Sequence, residues 1–341
     1  MVKRKILVTG GAGYIGSHTT LALLEAGHEV VVLDSLVNSR HESLRRVERI
    51  TGKKPVFVRG DVRDGALLDK VFRGHSISAV LHFAGLKAVG ESVRLPLDYY
   101  ETNVAGSVQL CQSMMRAGVH RLVFSSSATV YGESTLMPLR EDFPTGTPTN
   151  PYGRSKLMVE GVFQDLSASD SRWSIAILRY FNPVGAHPSG LIGEDPNGVP
   201  NNLLPYISQV AIGRLKELQV FGNDYDTPDG TGVRDYIHVD DLAVGHLNAL
   251  QAIVTRTGIH VWNLGTGRGY SVLEIVRAFE KASGQTVPYR VVARRPGDIA
   301  ECWADPTKAV QELGWRAELG LDAMMVDTWR WQSSNPDGYS N

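Results

Sequence analysis

Tyr152 and Lys156 stand four positions apart in the stretch NPYGRSK, residues 150 to 156. On a helix that spacing puts both side chains on one face, with Cβ atoms roughly 5–6 Å apart, so an ammonium can lie beside a phenol and favour the phenolate. A free tyrosine titrates at about 10, and a base working at about pH 7 needs roughly 4 kcal/mol of preferential stabilisation of its anion. One lysine is a poor source for all of that, and a cationic cofactor nearby would help. The spacing alone fits a solvated helix face equally well. The elements around it must decide.

Short apolar runs alternate with helical patterns through the first half of the chain. Residues 5–10, 28–34, 55–61, 79–85, 121–127 and 174–181 read as strands, and 15–26, 64–73, 96–117 and 152–169 as helices. Continuous Val, Ile and Leu runs without polar alternation belong to strands buried on both faces. Strand and helix repeated in this way predict a doubly wound parallel α/β sheet with right-handed crossovers. From about residue 183 the texture changes to a Gly-, Pro- and Asn-rich stretch, a long loop of the kind that usually carries function. Helix and strand signals of less regular order follow, including 204–213, 240–253, 271–283 and 321–332. The expected organisation is a first domain over residues 1–182 that also carries the chemistry. A smaller α/β region over 183–341 is expected to pack on the ligand side, with the chain able to cross back.

Directly after the first strand stands TGGAGYIGSH, with Gly10, Gly13 and Gly16 spaced G-x-x-G-x-x-G. Such glycines serve a sharp strand-to-helix turn, a close backbone approach to a pyrophosphate, and helix packing on a strand. The pyrophosphate then rests on the helix N-terminus, among unpaired N–H groups. The second strand ends in Asp34, 18 residues beyond Gly16. A carboxylate there accepts both ribose hydroxyls and repels a 2′-phosphate, which predicts NAD rather than NADP. Asp61 ends the third strand in a similar manner and is a candidate for the adenine edge, or a simple turn residue.

The bulk composition excludes other classes. The chain has 341 residues, of which 43% are hydrophobic, enough for a substantial core. Lys and Arg number 35 against 36 Asp and Glu, so no global field draws in nucleic acid or an anionic membrane. The basic run Lys3-Arg4-Lys5 reads as a solvated strand entry. Two cysteines, Cys111 and Cys302, make no disulfide framework, and neither has a partner at metal-ligand spacing, so no metal is expected. The N-terminus runs straight into KILVTGG without a signal region, and no apolar stretch reaches the roughly 18 residues of a membrane helix. A soluble cytoplasmic protein is the expectation.

Taken together, TGGAGYIG, Asp34, Asp61, HFAGLKAVGES (82–92), SSSATVYG (125–132), PYGRSK (151–156) and RYFNPVGAHPSG (179–190) resemble the extended short-chain dehydrogenase/reductase family. Later segments are similar as well: GVPNNLLPYI (198–207), VFGNDYDTPDGTGVRDYIHVDDLA (220–243), NLGTGRGYSVLEI (263–275) and ARRPGDIAECWAD (293–305). Nearly the whole chain is covered, and the set is most similar to the nucleotide-sugar 4-epimerases of that family. The resemblance implies a Rossmann domain that carries NAD and the catalytic residues, with a smaller C-terminal region for a UDP-sugar. It also implies a homodimer built on the helices around 96–117 and 152–169.

The implied reaction is reversible C4 epimerisation of UDP-glucose and UDP-galactose through a transient 4-keto sugar. Tyr152 would be the general base at the sugar 4-hydroxyl, Lys156 would hold the nicotinamide ribose and lower the tyrosine pKa, and Ser127 would bond the same 4-oxygen. For the dinucleotide the resemblance adds Tyr14, Ile15, Ser35, Leu36, Asn38, Ser39, Val62, Phe83, Ala84, Gly85, Leu86 and Lys87, with Phe181 beside the nicotinamide and either Thr102 or Asn103 making a further contact. The ketose must turn over without escaping, so the grip falls on the distant uridine diphosphate. Asn182, Asn202, Leu203, Phe221, Arg234, Arg295 and Asp298 match positions that hold it. Cys302 is smaller than the tyrosine often found there, which implies that UDP-N-acetylglucosamine and UDP-N-acetylgalactosamine are accepted too, unless it is a packing cysteine. The rivals are a nucleotide-sugar 4,6-dehydratase and a non-catalytic NAD-sensing protein. The dehydratase needs an acidic pair where this chain has Ala128 and Thr129, and the sensor has no need of Ser127, Tyr152 and Lys156 together.

Overall fold

The computed structural model describes residues 4–134, 136–295 and 298–339, so Lys3 of the basic run and residues 296 and 297 of the ARRPGDIAECWAD segment lie outside the described residues. Its centre is a seven-stranded parallel sheet. β1 (Lys5–Thr9), β2 (Glu29–Asp34), β3 (Val56–Arg59), β4 (Ala79–His82), β5 (Arg121–Ser127) and β6 (Ser174–Tyr180) are joined by a last strand, Gly258–Leu264, in the order β3-β2-β1-β4-β5-β6-last. Alternate residues of these strands enter two separate cores. Ile6, Val8, Val30, Val32, Leu81 and Leu178 face one, and Leu7, Val31, Leu33, Val80, Leu122 and Ile177 face the other. Both faces are therefore dry, which is why the runs carry no polar alternation. Strand order reverses at β1, so a crevice opens between the carboxyl ends of β1 and β4, where this architecture binds ligands.

The smaller region is built on short strands Asn182–Val184, Val233–His238, Gly269–Ser271 and Glu301–Cys302, with a separate pair Leu218–Phe221 and Tyr289–Val292. Helices Leu203–Ala211, Val272–Ser283 and Leu321–Ser334 close over a core that includes Ile207, Tyr236, Phe279 and Met325.

Two elements differ from the sequence expectation. Helix Val239–Thr255, whose texture belongs with the later region, packs on α1 (Tyr14–Glu25), and the strand after it completes the central sheet beside β6. The continuous helix expected over 96–117 is three pieces: Pro96–Tyr99, a π-helical turn Tyr100–Ala105, and Gly106–Arg116. A wider turn re-aims side chains and is common at functional sites. Here it carries Asn103.

A buried ion pair locks helix Pro151–Ser169 onto the central sheet. Arg179 of β6 donates to Glu160 at 2.6 and 3.1 Å, Ser126 of β5 donates to the same carboxylate at 2.5 Å, and all three side chains are excluded from solvent. Glu160 belongs to helix Pro151–Ser169, so this cluster fixes that helix against the strand that ends in Ser127.

Candidate active site

The dinucleotide cradle is assembled from the turn after β1. Gly10 has φ +70°, and a Cβ there would lie 2.7 Å from the Ala84 nitrogen. At Gly16 a Cβ would be driven into the Gly10 carbonyl. Both positions accept only glycine because backbone meets backbone. Gly13 caps α1 without a side-chain hydrogen bond, and no acidic residue occupies the first turn, which leaves the positive helix end open to an anion. Asp34 is 6% exposed. It accepts from Ala12 N at 2.9 Å, Leu36 N at 2.9 Å and the Ser39 hydroxyl at 2.8 Å. Of about four lone-pair directions on a carboxylate, three are used, which leaves one for a ligand hydroxyl. These residues fit a dinucleotide.

The remaining cofactor candidates lie in three places. Ser35, Leu36 and Asn38 share the loop after Asp34, with Leu36 at φ 61°. Asp61 is gripped by Arg63 at 2.7 Å, and that guanidinium holds its carboxyl below the usual range. Val62 is buried in the core under Gly106. The Phe83 ring lies 4.8 Å from that of His246 at a tilt of 39°, and the loop Phe83–Lys87 that it opens is pinned by Asn103 rather than Thr102. Asn103 accepts from Leu86 N at 2.8 Å and donates to Leu86 O at 3.0 Å and to the Ser155 hydroxyl at 2.9 Å. Ser155 in turn donates to the Tyr152 carbonyl at 2.7 Å.

His82 was not anticipated. Its ring lies 2.7 Å from Thr9 Oγ1 and 2.9 Å from Ser107 Oγ, and Ser107 donates to the Asn103 carbonyl at 2.5 Å. Burial, and then the charge on Lys156, push the imidazole down to about 3, so it is neutral. Because Ser107 spends its proton on Asn103, His82 Nε2 donates to Ser107 and Nδ1 accepts from Thr9.

Helix Pro151–Ser169 begins where it does because Asn150 accepts from Gly153 N at 2.9 Å and Pro151 fills the first position. Tyr152 and Lys156 consequently share a face in the first turns, directed at the end of β5. The Lys156 ammonium donates to the Ser125 carbonyl at 2.8 Å and lies 4.8 Å from the Phe124 ring centre and 5.9 Å from that of Tyr152. Burial lowers Lys156 to about 8, with Glu160 opposing. Burial raises the Tyr152 phenol, the neighbouring Tyr180 adds to this, and a hydrogen bond with Ser127 works against it. In the free site the lysine therefore does not make a phenolate by itself. A further positive charge is needed, as the chemistry of the pair already demanded.

The phenol opens on a cavity of about 360 Å³. Tyr14, Ile15, Lys87, Ser127, Tyr152, Phe181, Asn182, Asn202, Leu203, Phe221, Arg234, Arg295 and Asp298 all line it, so cofactor and substrate candidates meet in one space. Among these lining residues the Arg295 guanidinium lies 3.8 Å above the Phe221 ring, and Arg234 stands 3.8 Å from Asp298. Tyr180, Glu194 and Tyr225 line the cavity as well, unannounced by any local pattern. Cys302 is not among the lining residues. It is in strand register with Arg234, packs in the apolar cluster of Phe181, Tyr131 and Leu139, and burial pushes its thiol up to about 11.

Sheet and cleft together define a dinucleotide-dependent enzyme of nucleotide sugars. Residues 6–265 match the NAD dependent epimerase/dehydratase family, and the chain belongs to it. A UDP-glucose 4-epimerase of Bacillus subtilis (strain 168) is 62% identical over 336 residues, 98% of this chain and 99% of its own. The crystal structure of UDP-glucose 4-epimerase from Bifidobacterium longum in complex with NAD+ and UDP is 54% identical, with a TM-score of 0.96 over 98% of this chain and 99% of that one. The UDP-Glc/GlcNAc 4-epimerase of Campylobacter jejuni is 35% identical, with a TM-score of 0.84 over 97% and 99%.

The burial of Lys156 has a measurable cost. An exposed lysine titrates at about 10.4, so between about pH 8 and that value the unfolded chain binds more protons and native stability rises with pH. Lys156→Met is expected to stabilise the ligand-free protein by about 3 kcal/mol at about pH 7. Urea midpoints are expected to show that gain shrinking as the pH is raised to about 10. A gain unchanged across the window would mean that Lys156 keeps its proton in the native state.

Proposed function

We propose that the protein inverts C4 of UDP-glucose and UDP-galactose, with NAD held throughout the cycle, and accepts the N-acetylated pair as well. The observation that carries this reading is one cavity lined at once by Ser127, Tyr152, Arg234, Arg295 and Phe221. Bound NAD supplies the redox chemistry, taking up the C4 hydrogen and returning it, and brings a positive ring to the cleft. Tyr152 takes the proton of the 4-hydroxyl and gives it back when the carbonyl is reduced from the opposite face. Ser127, hydrogen-bonded to the phenol, orients that transfer, and Lys156 holds positive charge behind it. The arginine end grips the diphosphate while the hexose ring turns, so binding energy far from C4 retains the ketose. Among the described residues lining the cavity, none is placed as the extra acid/base pair that elimination needs. Ala128 is buried, Thr129 donates to Ser127 at 3.0 Å, and the lining carboxylates Glu194 and Asp298 are engaged with Lys87 and Arg234.

Among the described residues no helix is long and apolar enough to cross a membrane. Two free cysteines, Cys111 and Cys302, support a place in the reducing cytoplasm. We assign a homodimer to the face where helices Val89–Arg94 and Pro96–Tyr99 pack beside Pro151–Ser169. There Val93 (62%), Leu97 (78%) and Met158 (50%) expose apolar surface that a partner copy would cover. Sedimentation is expected to give twice the chain mass, falling to the monomer for Leu97→Asp. A wild-type monomer would remove the assignment.

Incubated with UDP-galactose and no added NAD, the purified protein is expected to form UDP-glucose. Tyr152→Phe is expected to lose roughly 10²–10⁴-fold in turnover while retaining NAD, and near-normal turnover would reject its role as base. Cys302→Tyr is expected to lower kcat/KM for the N-acetyl pair at least about 10-fold relative to UDP-galactose. Equal activity on both pairs in that variant would show that Cys302 only packs.

A further inference from the structure

The Gly- and Pro-rich loop between residues 185 and 202 is fixed from behind. The Trp331 indole donates to the Glu194 carbonyl at 3.0 Å, and the Tyr339 hydroxyl meets Gly193 N at 3.1 Å and Gly193 O at 3.2 Å. Gly193 lies so close on the Trp331 ring that a Cβ would overlap it. On this anchored backbone the Glu194 side chain is only 10% exposed and lines the cleft. A single carboxylate oxygen, Oε1, accepts from Lys87 Nζ at 2.9 Å and from Asn202 Nδ2 at 3.0 Å. Lys87 ends the Phe83–Lys87 loop on the dinucleotide side, and Asn202 caps helix Leu203–Ala211 on the nucleotide-sugar side.

We propose that Glu194 is a positioning residue that couples the two ligand subsites, so that occupancy of one slows departure from the other. Lys87 is half exposed and rotamer-rich, and holding it costs entropy that a ligand must otherwise meet alone. A nucleotide sugar that orders Asn202 orders Glu194 through the shared oxygen, and Glu194 orders Lys87. The dinucleotide is then held by a side chain already in place. Reciprocity requires the opposite direction to work equally well. Charge acts in the same sense: the Lys87 ammonium neutralises a carboxylate that would otherwise face two pyrophosphates. Such coupling suits a cycle in which neither ligand can be allowed to leave before the other is restored. The identity of the two ligands rests on the reading given above.

The test is exchange of bound NAD against isotopically labelled NAD, with and without saturating UDP, which occupies the nucleotide end without turnover. In the wild-type protein UDP is expected to slow exchange at least about 5-fold, the lower range of ordinary coupling. In Glu194→Gln that ratio is expected to fall to nearly 1. Lys87→Met, which leaves the Trp331 and Tyr339 anchors untouched, is expected to lose the ratio to the same degree, with no further loss in the double variant. If Glu194 merely braced the loop, both rates would change together and the ratio would survive, which overturns the proposal. A wild-type ratio of nearly 1 overturns it too. Conversion of UDP-galactose by the same preparation tells that failure apart from failure of the functional assignment.

Discussion

A lysine ammonium taken almost wholly out of water is the constraint around which the site is arranged. Lys156 is 6% exposed, meets a backbone carbonyl, and titrates well below its ordinary range. Four residues further along the same helix Glu160 is buried too, yet its charge is committed to Arg179. Two cations and one anion therefore share the space between the helix and strands β5 and β6, leaving one positive charge uncompensated. Removing charge from water without a counterion is costly. The surplus charge lies 5.9 Å from the centre of the Tyr152 ring.

The surroundings of that surplus charge are kept neutral. Burial, and then the nearby Lys156 charge, suppress protonation of His82, which serves as a relay of ordinary hydrogen bonds from Thr9 to Ser107 and on to Asn103. Through Asn103 the same chain reaches the Phe83–Lys87 loop and the first turn of the catalytic helix. The Phe83–Lys87 loop and the helix that carries Tyr152 are thus one hydrogen-bonded unit, and neither can shift without breaking buried polar contacts.

The smaller region supplies Arg234, Arg295 and Phe221 to the lining of the cavity. Its strand Asn182–Val184 follows β6 almost at once and pairs with Val233–His238, which carries Arg234. The chain then returns through helix Val239–Thr255 to lay the seventh strand of the central sheet. This crossing fastens the two regions at both ends, so the cleft between them has walls of defined spacing.

By itself the sequence determined whatever depends on near neighbours along the chain. The apolar runs that face two cores, the glycine turn whose backbone admits no Cβ, Asp34 at the end of β2, and the Asn150-Pro151 start that sets Tyr152 and Lys156 on one face are all local in origin. Other features were decided only by the tertiary structure, because they depend on which distant segments meet. Residues 258–264 become a central strand by pairing with β6, and Asn103 rather than Thr102 faces the cofactor loop because a π turn rotates it there. Glu194 acquires meaning only where Lys87 and Asn202 converge on one oxygen, and Cys302 packs beside Phe181, itself a wall of the cavity. The direction of the Tyr152 pKa is of the same kind. Spacing places a cation beside the phenol, but burial, which only the folded chain defines, raises its pKa all the same.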